Sequence, residues 1–121
     1  LALLSSDAWS GSYLNRAALL LDGAAAERNI VRPRSNDRDL LLVVHAIAQA
    51  RTEAARNMDV PKSVATAHPH LLMVLENTEQ AYAAALEKRN AKFVEHIARA
   101  RVEDTTFRAI ISKLGYTLPG S

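Results

Sequence analysis

Residues 66–82 read TAHPHLLMVLENTEQAY. Pro69 breaks a helix interior but suits a first helical turn, where its missing N–H has no partner to lose. Beyond it, Leu71, Val74, Leu75, Thr78, Tyr82, Ala85 and Leu86 recur at three- and four-residue intervals, the spacing of one helix face. The stretch predicts an amphipathic helix over about 69–89 with a well-marked start. No alternating polar–apolar run anywhere in the chain competes with that reading as a strand.

The same periodicity extends in both directions. Upstream, Leu14, Ala17, Ala18, Leu21 and Ala25 lie on one face of a predicted helix over about 7–29, which Gly11 and Gly23 weaken without ending. The linker IVRPRS (residues 30–35) carries Pro33. A second helix over about 37–57 has Ser35 or Asn36 as its cap and Asp37 and Asp39 in its first turn, where the helix dipole favours negative charge. The connection MDVPKSVATAH (residues 58–68) contains Pro61. Downstream, KRN (residues 88–90) closes the third helix, and Asn90 is placed to cap a fourth over about 91–114. Gly115 stands where a helix stops, with Pro119 beyond. Four such helices with fairly short connections predict an all-α, single-domain, up-down-up-down four-helix bundle.

Composition agrees. Hydrophobic residues make up 49% and charged residues 23%, enough apolar material for one core and too little charge for a disordered chain. Only four glycines and four prolines interrupt a chain rich in alanine, leucine and arginine. The absence of cysteine excludes disulfides, thiolate metal sites and cysteine nucleophiles. A net charge of +2 gives little reason to expect an anionic macromolecule, and the stacking aromatics of a nucleic-acid binder are missing. The longest aliphatic run, LLLVV (residues 40–44), is far short of the ~20 residues of a membrane span. The chain starts at Leu1 rather than Met, which reads as a processed, exported or trimmed product, and leaves its compartment unknown.

Two charged residues stand on inner faces. Placed at about 100° per residue, the apolar arc of the second helix centres close to Arg51, and that of the fourth includes Asp104. Both lie about 20 Å from the start of their helices, so in a bundle where these two run parallel they share a level. The expectation is a mid-bundle polar layer in which Arg51 pairs with Asp104, with Glu79 or Asn15 nearby. A buried charge without a partner costs several kcal/mol, so partners are demanded. Such a layer either fixes helix register or forms a polar pocket for a small ligand.

The histidines are His45, His68, His70 and His96. Glu-x-x-His, the carboxylate-bridged di-iron signature, does not occur, nor does His-Glu-x-x-His. His68 and His70 open the third helix, while His96 lies near the start of the antiparallel fourth, at the other end of the bundle. His68 with His70, or His45 and His96 with a carboxylate, remain the pairings open to a metal ion; no cofactor is otherwise indicated. His96 also reads simply as a core-edge histidine with one hydrogen bond.

Arg28, Arg32, Arg34 and Arg38 surround the first loop, which reads as a solvated basic loop or as a contact for an anionic partner. No catalytic triad order, phosphate loop or nucleophile elbow is present. Aliphatic residues beyond those one core needs, among them Leu19, Leu20, Leu42, Val43, Leu72, Met73, Val102 and Ile110, are either covered by residues 1–4 and the loops or form a contact surface. The sequence thus predicts a non-enzymatic structural or interaction module that self-associates or joins a larger complex. The alternative is a bundle binding a small ligand or metal ion.

Overall fold

The structure, a computed structural model, describes the backbone of residues 2–120 and the side chains of residues 11–120. It is an all-α four-helix bundle: α1 (Ala2–Val31), α2 (Arg38–Arg56), α3 (His68–Leu86) and α4 (Asn90–Lys113). Short 3-10 turns at Arg32–Arg34 and Lys62–Val64 punctuate the first two connections. The side chains of residues 1–4, expected to cover apolar surface, lie outside the described residues.

The helix ends follow local chemistry. Asp37 caps α2, its carboxylate accepting from the Leu40 N–H at 3.1 Å, in place of the expected Ser35 or Asn36. α3 begins one residue ahead of Pro69, which sits in the first turn. α4 ends in paired reverse bonds, Gly115 N–H to the Ser112 carbonyl and Tyr116 N–H to Ile111, around a Gly115 at φ +90°. α3 closes the same way, Lys88 N–H to Ala85 and Arg89 N–H to Ala84, but the left-handed residue is Lys88 at φ +59°. Arg89 completes that closure and is also the first, half-helical residue of α4, its carbonyl accepting from Phe93. Asn90 therefore lies inside α4 and caps nothing.

Cross-helix contacts give the topology. α1 and α2 run antiparallel, as Glu27 meets Arg51. So do α3 and α4, joined by His70 with Glu103 and by Asn77 with His96. α3 runs parallel to α1, with Tyr13 against His68 and Arg28 against Thr78. This is the expected up-down-up-down order. α3 packs closely on α2 and α4, α1 touches all three, and α2 and α4 do not pack together. The bundle is therefore a flattened square, with α1 and α3 across its short diagonal.

The interior has two apolar clusters. One gathers Leu14, Leu21, Leu71, Leu75, Phe107 and Ile111. The other gathers Val31, Leu41, Val44, Tyr82, Phe93 and Ile97. Glu27, Arg28, Thr52 and Thr78 are buried at the level where the two meet.

Candidate functional site

Buried polar side chains do lie between the two apolar clusters, but Glu27, Arg28, Thr52 and Thr78 are not the residues expected there. Arg51 does not pair with Asp104: its Nη1 donates to Glu27 Oε1 of α1 at 2.9 Å, its guanidinium lying over Gly23. Asp104 accepts from Arg108, one turn along α4, and Arg108 also reaches Asp22 of α1 at 3.1 Å. Arg51 and Asp104 cannot meet because α2 and α4 occupy opposite corners of the long diagonal. α1 comes between them, and its consecutive Glu27 and Arg28 serve one side each.

The other expected members drop out. Asn15 is exposed. The residue of α1 that meets Arg51 is Glu27, about three turns further along the helix. Glu79 is half-buried and makes no polar contact among the described residues.

Glu27 and Arg28 are the residues the sequence reading missed. Arg28, assigned to the basic loop, is 4% exposed and donates from Nη1 to Thr78 Oγ1 at 3.0 Å. It continues the stripe of Ala17, Leu21, Ala24 and Val31, and that phase is its signal in the sequence. Burial pushes its guanidinium below the ordinary arginine value, while Asp104 acts to restore it. The Tyr82 hydroxyl is enclosed without a hydrogen bond of normal geometry, and burial, then Glu27, drive its ionisation far upward, so it stays neutral.

The remaining arginines of the expected loop patch diverge. Arg34 donates to the Ile30 carbonyl, at 3.0 Å. Arg38 lines a cleft of about 460 Å³ with Lys88, over Leu41 and Ala85, at the end of the bundle. Both of that cleft's cations are exposed. Arg32 instead faces a cleft of about 270 Å³ between α1 and α4, shared with Arg28, Arg101 and Asp104. This second cleft opens onto the polar layer.

The histidines act as struts. Nε2 of His68 lies 3.1 Å from the Ala55 carbonyl, which can only accept, so Nε2 carries the proton. Nδ1 then accepts from the Tyr13 hydroxyl at 2.7 Å. Burial holds His68 below its ordinary value and pushes Tyr13 well above its own, which keeps both neutral. One imidazole thus ties α1, α2 and α3, and neither nitrogen offers a free lone pair. His70 Nδ1 pairs with Glu103 Oε2 at 2.6 Å. His96 Nδ1 donates to Asn77 Oδ1 at 2.9 Å, the single bond of a core-edge histidine. His45 is half-buried on α2, across the long diagonal from His96, so these two do not come together. No group of three His, Asp or Glu with metal-site geometry occurs among the described residues.

Several large apolar side chains stand on the outer surface. Five of the large exposed hydrophobics lie on α1 and α2: Leu19, Ile30, Leu42, Val43 and Ile47. An apolar-walled cleft of about 380 Å³, with Leu19 and Leu20 facing Ala54 and Met58, separates the two helices at one end. Of the other expected surface residues, Met73 and Val102 are exposed, whereas Leu20, Leu72 and Ile110 lean on the core. No described helix is long and apolar enough to cross a membrane.

Comparison with protein-family models, curated proteins and solved structures finds no match to this chain.

Proposed function

We propose that the protein is a non-enzymatic helical interaction module that pairs with a second copy of itself through the outer face of α2. The observation that carries this reading is that α2 is apolar on two sides. Leu41, Val44, Ala48 and Ala55 face the core. Val43, Ala46, Ile47, Ala50 and Ala54 form a second stripe, all of them exposed. From Leu40 to Ala50 the helix has no Asp, Glu, Lys or Arg, although half of it faces water. Depletion of charge at the centre of a patch is the compositional mark of an interface. The alanines allow two helices to approach closely, and Val43 and Ile47 supply the larger contacts. A two-fold pairing covers the stripe with its own copy and closes the assembly at a dimer.

Light scattering coupled to size exclusion tests this. The wild-type chain should elute as a dimer that dissociates on dilution, and Val43→Glu with Ile47→Glu should be a folded monomer. A wild-type chain that stays monomeric at high concentration would overturn the reading.

A further inference from the structure

The cleft between α1 and α4 gathers three guanidinium groups, two of them without a carboxylate partner among the described residues. Arg28, Asn29 and Arg32 line it from the α1 side, and Arg101, Asp104 and Thr105 from α4. Arg28 is buried, with Nη1 committed to Thr78. Arg32 and Arg101 are exposed and have no carboxylate partner among the described residues. Asp104 pairs with Arg108, a partner it shares with Asp22, and among the described residues is the one carboxylate lining the cleft. The Thr105 hydroxyl donates to the Arg101 carbonyl at 3.2 Å. After burial, Asp104 acts most on Arg28 and favours its charge, while Arg101 opposes it, so Arg28 and Arg101 repel across the cleft. An anion between them would reverse the sign of that interaction.

We propose that this cleft binds the phosphate group of a small phosphomonoester, with Arg28 at its base and Arg32 and Arg101 flanking the anion. Planar guanidinium forks match the oxygens of a phosphate and bind them in pairs. A phosphate dianion balances the two uncommitted arginines, whereas a carboxylate leaves one unmatched. At about 270 Å³ the cleft falls below the usual size of a drug-sized pocket and suits a phosphate on a short carbon chain. The site belongs to α1 and α4, and α4 lies across the long diagonal from α2, so it stands or falls independently of self-association.

Calorimetric titration with inorganic phosphate and with glycerol phosphate, at ionic strength matched with chloride, tests the site. Saturable one-to-one binding is expected. Arg32→Gln and Arg101→Gln, both at exposed positions and checked for fold by circular dichroism, should each weaken it about tenfold, the loss of one charge-assisted contact. Binding should tighten as the ester takes its second charge, near pH 6. A response no greater than that to chloride overturns the proposal, as does equal binding by wild type and both variants. Binding to phosphatidylcholine vesicles doped with phosphatidic acid but to neither soluble phosphate also overturns it, because it moves the contact to a lipid surface.

Discussion

Arg51 of α2 ends on Glu27 of α1, 2.9 Å away, and this pair sets the distance between the two helices at mid-height. Glu27 is nine-tenths buried, so it is the member that suffers when the pair is broken. Arg51→Leu should destabilise the fold by about 1–3 kcal/mol, and adding Glu27→Gln should recover part of that loss. Combined with Asp104→Asn, the Arg51 effect should be additive, because the two sites share no contact. Urea unfolding of the single and double variants measures both. Strong coupling between positions 51 and 104 would contradict the arrangement described above.

Thr52 and Thr78 are both fully buried but are not equivalent. The Thr52 hydroxyl donates to Ala48 of its own helix. Thr78 donates to Val74 and also accepts from Arg28 of α1. Thr78→Val should therefore cost about 1–3 kcal/mol, the penalty for leaving a buried guanidinium N–H without its acceptor. Thr52→Val should change stability by less than about 0.5 kcal/mol, since only a local back-bond is lost. Thermal melts of the two variants side by side decide the matter.

The matched closures of α3 and α4 give an internal control. Lys88 occupies with a side chain the left-handed position that Gly115 occupies without one. Lys88→Gly should stabilise by about 0.5–1 kcal/mol, the relief of αL strain less the added freedom of glycine in the unfolded chain. Gly115→Ala should destabilise by about 1 kcal/mol, because its φ of +90° is costly for any side chain even though no neighbouring atom would clash. Denaturant midpoints of the two variants should move in opposite directions.

How much of this was legible follows from where each signal resides. Pro69, Asp37 and Gly115 act within one turn, so the sequence marks those helix ends to within a residue or so. The distance of Arg51 and of Asp104 from the start of its own helix follows from helix rise alone. Which helices stand next to each other is set by packing across the whole bundle, and no local pattern encodes it. That is why the partner of Arg51 is on α1 and not on α4. Arg28 was obscured because it stands near the expected end of its helix beside Arg32, Arg34 and Arg38 and shares their charge, whereas α1 runs on to Val31 and keeps it in the buried stripe.

The neutral His68 gives the fold a defined response to acid. Burial holds this group below its usual value of 6.5, so the unfolded chain takes up a proton before the folded one does. The stability it contributes is complete above 6.5 and is lost as the pH falls through the folded value. His96 is shifted in the same direction, chiefly by burial, and adds to the effect. Melting temperature should fall as the pH drops from about 7 to about 5, and fall less steeply in His68→Gln, whose amide carries no titratable proton. An identical slope in the variant would show that the strut between Tyr13 and Ala55 is not what protonation breaks.

The polar layer also divides the interior. An apolar core that runs unbroken from end to end opens as one body, but here two compact clusters meet at charged and hydroxyl groups that water can solvate when the helices part. The layer is the seam where one half is expected to loosen first, which unequal amide exchange on its two sides would reveal. All four helices place buried residues in both clusters and so cross that seam.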